Sequence, residues 1–448
     1  MWRRVFRMGG AVRQRVPGHR HGRIHLTMPR RCLWIFAIVV AALRLGLVLY
    51  VDPDLSLNND EHRNYRIAHN AVAGLGYVHP EPNTGELRSS AFHSSFTVLL
   101  YEAMIRAGIP PWVWVLLVQC AAAVLFALSI PALHDLAARR LPKPWAMRAA
   151  VLYAVFPSVI YYIGALPFHE NVVLPAMVIA CERCARIVAD RYRTVDVVVV
   201  SLALLATAVL RTQALVVFTL LLGMMVVMLL WQRRYLAPLL FAPAVLATAL
   251  VHIPVLRKNH AQFGHWIIST QSGFELLQGH NPLARGSWMG NWYMADNPHY
   301  RYVHEAIPGL DAMDEYEESM ARRRLALEWI REDPLAELRL AVRKVALWLF
   351  PHNYEVLPGH RLINPVNAFV YLFFVLGTGW LLLRRDLRSV DAQLMAPILG
   401  SLALTLVFFM GARWRYYAEP FMVVYAMYGL MCTVEWARRR GLLRPAGN

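Results

Sequence analysis

Asp60 and Glu61 stand side by side in the stretch Asn58-Asn59-Asp60-Glu61-His62-Arg63-Asn64-Tyr65, directly after an apolar run from Cys32 to Val51. That run has 20 residues, enough to cross a bilayer at about 1.5 Å per residue. Carboxylates at the point where a chain leaves a membrane have water on one side and hydrocarbon on the other. There a carboxylate can hold an acceptor hydroxyl and take its proton while a lipid-borne substrate approaches from the side. The same residues would equally serve as the N-terminal cap of a surface helix starting near Glu61.

Three more polar groups recur at the mouths of apolar runs. His169-Glu170-Asn171 opens a run between Pro167 and Pro175, where an ionisable residue is costly unless paired or used. Arg211 closes another run, and Arg257-Lys258 closes a third. Cations so placed suit a phosphate entering from the bilayer, or they snorkel to headgroups. Arg413-Trp414-Arg415-Tyr416-Tyr417-Ala418-Glu419-Pro420 offers two Arg for phosphate and two Tyr for stacking on a sugar; an aromatic belt with anchoring Arg has the same composition. The loop Ser269 to Gly290, flanked by Trp266, Trp288 and Trp292, is rich in amides and small polar residues. Those can hydrogen-bond a sugar ring and are also ordinary loop content.

The elements that must position these groups are membrane helices. The 448 residues are 57% hydrophobic and 17% charged, with mean hydropathy +0.38, whereas soluble domains carry about 25% charged residues. Apolar runs recur along the whole length, which excludes a soluble two-domain protein and implies a polytopic helical one. Spans are expected at 32–51, 112–135, 145–163, 167–188, 195–211, 214–231, 236–256, 365–383, 392–410 and 417–436. Residues 92–108, short and carrying Glu102 and Arg106, read as a re-entrant or interfacial helix on the outer face. Residues 60–74 and 334–350 read as interfacial helices, and 315–331 as a solvated charged one.

The formal charge of +17 is carried mainly by Arg. Clusters at Arg139, Arg140, Lys143 and Arg148, at Arg183, Arg186, Arg191 and Arg193, at Arg233–Arg234, at Arg384, Arg385 and Arg388, and at Arg438–Arg440 all fall on one side of this topology. That side is the cytoplasmic one, and such charge faces anionic lipid rather than nucleic acid. The expected organisation is a basic tail (1–31), a transmembrane module (32–256) with a first outer loop at 52–111, a periplasmic loop with interfacial helices (257–350), C-terminal transmembrane helices (351–436) and a cytoplasmic tail (437–448). Residues 1–31 hold nine Arg and no acid; they read as a tail before a signal-anchor helix rather than a targeting peptide, with Met28 a plausible start. Cys181-Glu182-Arg183-Cys184 has CxxC spacing but stands alone, so two small core residues are expected rather than a metal or redox pair. No phosphate-binding loop, dinucleotide fingerprint, HExxH or GxSxG is present.

Read in order, these groups resemble the integral-membrane glycosyltransferases of family 39, the bacterial relatives of protein O-mannosyltransferases and of the lipid A aminoarabinose transferase. The family's acidic pair followed by Tyr, Ala and Gly-Tyr is matched by Asp60-Glu61, Tyr65, Ala68 and Gly76-Tyr77. Glu170 matches its second acid, and Arg211-Thr212 its Thr-Arg-Pro-like turn. Lys258-Asn259 and Gly279-His280-Asn281-Pro282 match its Arg-Asn and Gly-Asn-Asn-Pro-like features. Trp329-Ile330 with Asp333-Pro334, and Arg415-Tyr416 with Glu419-Pro420, match the later ones. Where the family often has a Lys in a Pro-rich segment, this chain has Arg88-Ser89-Ser90-Ala91-Phe92-His93.

The resemblance implies an all-α GT-C-like bundle of about ten transmembrane helices, with outer-face juxtamembrane helices and one large periplasmic loop, in a bacterial inner membrane with its active site on the periplasmic face. It implies inverting transfer of a sugar from a polyprenyl-phosphate donor to a lipid, glycan or protein acceptor. Asp60 would be the base, Glu61 its alternate or its orienting partner, and Glu170 a positioning acid. Arg211, Arg257, Lys258, Asn259, Asn281, Arg413, Arg415 and Tyr416 would bind substrate. The pattern requires no metal, though a divalent cation on the carboxylates is compatible with it. A flippase or transporter, or a polymerase or ligase of lipid-linked saccharides, is the alternative. A transporter calls for polar groups along mid-membrane helix faces, and Arg44 and Gln119 are the few such residues here.

Overall fold

The computed structural model describes residues 29–57, 59–92, 96–156, 169–189, 191–288, 290, 294–350 and 365–442, without the side chains of Asn59, Pro365, Ala412 and Arg413. Most of the basic tail, Pro167, Trp292, the first part of segment 351–436 and the end of the C-terminal tail lie outside the described residues.

Helix α1 (Arg30–Val51) is apolar nearly all round and buries one stripe, Leu33, Ala37, Ala41, Arg44 and Val48. The two alanines let α4 (Pro111–Ala137) approach closely, while Ile38, Leu43 and Tyr50 stay exposed on the other side. An exposed apolar side of this kind is what lipid requires. Between them lie α2 (Asn59–Val72), a β1–β2 hairpin (Val78–Pro80, Leu87–Ser89) and α3 (Phe96–Arg106). At 11 residues α3 is about 16 Å long, half of a hydrocarbon core. It packs on α2 through Ile67, Ala68, Val98, Tyr101 and Met104. As a single helix α3 is thus too short to cross a hydrocarbon core.

Beyond α5 (Lys143–Ala154), α6 (Glu170–Val188) forms the centre of the bundle, buried along almost its whole length. Helices α7 (Thr194–Leu210), α8 (Leu215–Trp231), α9 (Ala242–Val251) and α10 (Ile253–Phe263) follow. The polar insert carries α11 (Gln271–Gly279), α12 (Pro298–Ala306), α13 (Glu315–Glu332) and α14 (Pro334–Leu349). Asp314 and Glu317 form the capping box that starts α13, and Asp333 caps α14 ahead of Pro334. Helix α14 buries Leu340, Lys344 and Trp348 and exposes Leu335, Leu338 and Val342, as an interfacial helix does. The chain closes with α15 (Pro365–Arg384), α16 (Ser389–Val407), the short α17 (Ala412–Tyr416) and α18 (Glu419–Arg439).

Helices stand in the expected spans, and six are long and apolar enough to cross a membrane: Arg30–Val51, Pro111–Ala137, Thr212–Trp231, Ala237–Phe263, Val366–Arg384 and Ser389–Val407. The protein is an all-α polytopic membrane protein. The arginines gather at one end. Arg30 and Arg186 meet Asp135; Arg139, Arg183 and Arg186 surround the buried Glu182; Arg183 also pairs with Asp196, and Arg140 with Asp386 and Asp391.

At the crossing of α15 and α18 a Cβ on Gly377 would lie 2.1 Å from the Tyr425 carbonyl oxygen, and one on Gly429 would lie 2.2 Å from that of Phe373. Small residues allow this backbone contact. Gly377→Val is expected to cost about 1–3 kcal/mol or more, the range for overpacking, and to lower the melting temperature of purified protein. Gly379→Val, whose Cβ meets nothing within 4 Å, leaves it unchanged; equal melting of both variants would remove the crossing as a determinant of stability.

Candidate active site

Glu61 and Glu170 stand at the end of the bundle opposite the arginine cluster. Glu61, in the first turn of α2, is buried and accepts a 2.8 Å hydrogen bond from the Tyr101 hydroxyl of α3. Its other oxygen is 3.2 Å from His169 Nδ1, just before α6. The Trp114 ring stands edge-on to His169, with centroids 6.0 Å apart. Glu170 follows in the first turn of α6, where free N–H groups favour a negative charge. Its carboxylate is 3.0 Å from Arg211 Nε, at the C-terminal end of α7. Segments far apart in the chain thus bring together an acid, an imidazole, a second acid and a guanidinium. Asp60 is half-buried beside Glu61. Burial, reinforced by the Glu61 carboxylate, pushes the Tyr101 phenol well above its ordinary pKa and keeps it a proton donor.

The second half of the site comes from the turn between α16 and α18. Arg415 is buried, with Nε 3.2 Å from Glu419 Oε1 and its guanidinium over the Tyr371 ring; the Tyr371 hydroxyl donates to the same oxygen at 3.0 Å. Tyr416 is fully enclosed, and burial drives its phenol pKa up. Arg44 opposes that shift, while Tyr153, Glu419 and Glu170 add to it. Tyr416 and Glu170 are thus electrostatic neighbours.

Lys258 and Asn259 do something different. The buried Lys258 ammonium sits 4.6 Å from the Tyr77 ring centre, and the Tyr77 hydroxyl donates to Glu102 at 2.7 Å. Burial, with Glu102, pushes the Tyr77 phenol up to about 12. Asn259 Nδ2 donates to the carbonyls of Ile267 and Ile268, and Gln262 donates to that of Tyr77. The Gly-Tyr and Lys-Asn features thus meet each other. Because Tyr101 faces Glu61 while Glu102 faces Tyr77, α3 joins this group to the acids. Arg257 is exposed on α10. Asn281 closes the end of α11, donating to Leu277 O and accepting from Leu283 N. The Arg413 side chain is outside the described residues. Trp266 and Trp288 are exposed on the insert, Trp266 tilted against His260 with ring centroids 4.3 Å apart.

Three features have partners that no local sequence signal gives. Tyr101 sits in a stretch read only as apolar. Glu315, at the start of α13, accepts from Ser90 Oγ at 2.8 Å, Ala91 N at 2.6 Å, Thr270 Oγ1 at 2.6 Å and Arg63 at 3.4 Å. It thereby fastens the hairpin and α2 to the insert. His280 Nδ1 is 2.9 Å from Glu337 and its Nε2 2.8 Å from Val407 O, while Lys344 Nζ reaches Leu406 O at 3.2 Å. This group seats the insert on the end of α16. Burial holds the Lys344 ammonium down to about 8, against the pull of Glu337. Among the described residues no three His, Cys, Asp or Glu side chains form a metal-binding group.

No family model and no curated protein sequence matches the chain. Among solved structures, the oligosaccharyltransferase AglB from Archaeoglobus fulgidus, in complex with an inhibitory peptide and a dolichol-phosphate, is similar at 13% identity and TM-score 0.46, over 93% of this chain and 53% of that one. The apo form of the Archaeoglobus fulgidus oligosaccharyltransferase is similar at 14% identity and TM-score 0.47, over 91% and 51%. The chain spans about half the length of these proteins.

Two outcomes follow from the geometry. Arg211→Met leaves Glu170 buried without its cation and is expected to cost up to about 3 kcal/mol, while adding Glu170→Gln restores much of the loss; thermal melts of the single and double variants check this, and additive losses would refute the pairing. Lys344 binds its proton less tightly folded than unfolded, so its burial penalty is full below about pH 8 and is relieved as pH rises toward its ordinary 10.5. Lys344→Met should flatten the rise in melting temperature over that window, and an unchanged pH profile would count against it.

Proposed function

We propose that the protein is a membrane glycosyltransferase that moves a sugar from a lipid-phosphate carrier to an acceptor hydroxyl at the acid-lined end of the bundle. The observation that supports this reading is the line Glu61–His169 and Glu170–Arg211, which gathers acids and a cation from distant segments at one membrane-flanking rim. Asp60 acts as general base. Glu61, held by Tyr101 and His169, fixes the start of α2 and so the position of Asp60. The acceptor O–H gives its proton to Asp60, its oxygen attacks the anomeric carbon, and the C–O bond to phosphate breaks with the electron pair leaving on the phosphate. Attack opposite the leaving group inverts the anomeric centre. Glu170 positions the acceptor or the base. Arg211, Arg257, Lys258, Arg413 and Arg415 supply positive potential for the departing phosphate, strengthened as water leaves the site, and Tyr416 lines the sugar. Asn259 and Asn281 act by shaping the insert around the bound substrate.

The donor is a polyprenyl phosphate sugar, the acceptor a lipid, glycan or protein hydroxyl, and the membrane the bacterial inner one with the site on its periplasmic face. Asp60→Asn is expected to lower release of polyprenyl phosphate from a labelled donor pool by at least about 100-fold, the lower range for losing a general base, with insertion and melting unchanged. Near-normal turnover in that variant would take Asp60 out of the chemistry. Movement of labelled lipid across a reconstituted bilayer with no transfer would favour a flippase.

A further inference from the structure

Arg44 lies in the apolar run of α1, seven residues before the helix ends at Val51, or about 10 Å below that end. Its side chain is 8% exposed, so it does not snorkel to the headgroups. The guanidinium stacks over Phe126, 4.6 Å from the ring centre. Among the described residues neither Nη1 nor Nη2 has a hydrogen-bond partner. Its electrostatic neighbours are the phenols of Tyr153 and Tyr416, and Tyr153 is already engaged with Ser129 at 3.0 Å. A cation–π contact is worth about 0.5–2 kcal/mol, whereas removing an ion from water costs several. The guanidinium is thus a buried positive charge with no acid beside it among the described residues.

Its surroundings identify which anion. Leu43 and Leu47, flanking Arg44 along α1, are exposed, so lipid reaches this level of the helix from the side. Arg44 lies about two turns short of the end of α1 that leads to the acid pair of α2. Arg presents a planar fork that fits phosphate oxygens in pairs. We propose that Arg44 is an anion-binding residue that takes the phosphate of a membrane-borne isoprenoid, whose chain lies along the lipid-facing side of α1. The isoprenoid's part as sugar donor rests on the transferase reading; its binding at Arg44 does not.

The test is direct binding, without turnover. Purified full-length protein in nanodiscs is titrated by native mass spectrometry with a long-chain polyprenyl monophosphate, the matching neutral polyprenol, and inorganic phosphate. Wild-type protein should prefer the monophosphate to the polyprenol by about tenfold or more, as for a charged hydrogen bond. Arg44→Met should lose that preference with polyprenol binding unchanged. Ligand-free Arg44→Met should melt no lower than wild type, because an apolar side chain removes an uncompensated buried charge. If Arg44→Met cannot be purified, Arg44→Lys carries the test and should lose about threefold or more, keeping the charge without the fork. Undiminished preference in either variant overturns the proposal, as does a lowered melting temperature of Arg44→Met with lipid binding intact. Displacement of the lipid phosphate by inorganic phosphate at equal concentration would assign the site to free phosphate and overturn the isoprenoid. Loss of the preference in Arg44→Met alongside full transfer by Asp60→Asn would keep the anion site and sink only the assignment of the base.

Discussion

The contact between Glu61 and His169 is the constraint on which the rest of the acid-lined end depends. It ties the first turn of α2, a helix that lies outside the bundle, to the mouth of α6, the helix at its centre. In water such a contact would contribute little. Here both groups are buried, and Tyr101 satisfies the remaining oxygen of the carboxylate, so breaking one partner strands the other in a poorly solvating place. The contact also fixes the chain on either side, because Asp60 directly precedes Glu61 and Glu170 directly follows His169. Once Glu61 is fixed, Asp60 has little freedom; once His169 is fixed, Glu170 must find its cation, and Arg211 supplies it.

The two ends of the bundle handle charge in different ways. At the arginine end, basic residues outnumber their acidic partners and share them, as around Glu182, which leaves net positive charge for anionic headgroups. At the other end, acids and bases are paired and mostly enclosed, and the potential is local rather than spread over a surface. A site of this second kind can act strongly on a bound substrate because little water screens it.

Much of the architecture was legible in the residues. Runs of apolar residues mark the helices, the short polar-marked stretch around Glu102 and Arg106 marks α3 as too short to cross, and the spacing of arginines gives a consistent side. The acids at 60–61 and 170 and the cation at 211 were legible as mouth residues, since an ionisable group beside a span stands out against hydrocarbon. Their pairing was not, because no local pattern says which mouth faces which. Tyr101 was hidden for a related reason: on an interfacial helix an aromatic reads as apolar contact, and only its partner reveals the hydroxyl as its working part. Asn281 shows the opposite case. The residue type invites a binding role, and the structure has it closing a turn.

Glu315 shows how the insert can govern the site without touching it. Its carboxylate holds Ser90 and Ala91 after the hairpin, Thr270 ahead of α11, and Arg63 one turn beyond the acid pair. Four donors converging on one carboxylate make a rigid brace, since each bond lowers the freedom left to the others. The brace and the Glu61–His169 contact grip α2 from opposite sides, one from the insert and one from the bundle. The insert is therefore tied to α2 through Arg63, alongside the bonds of Arg88 to Asp311 and of Ser269 to Phe92. The insert and the helix that carries the acid pair are in this way braced against each other.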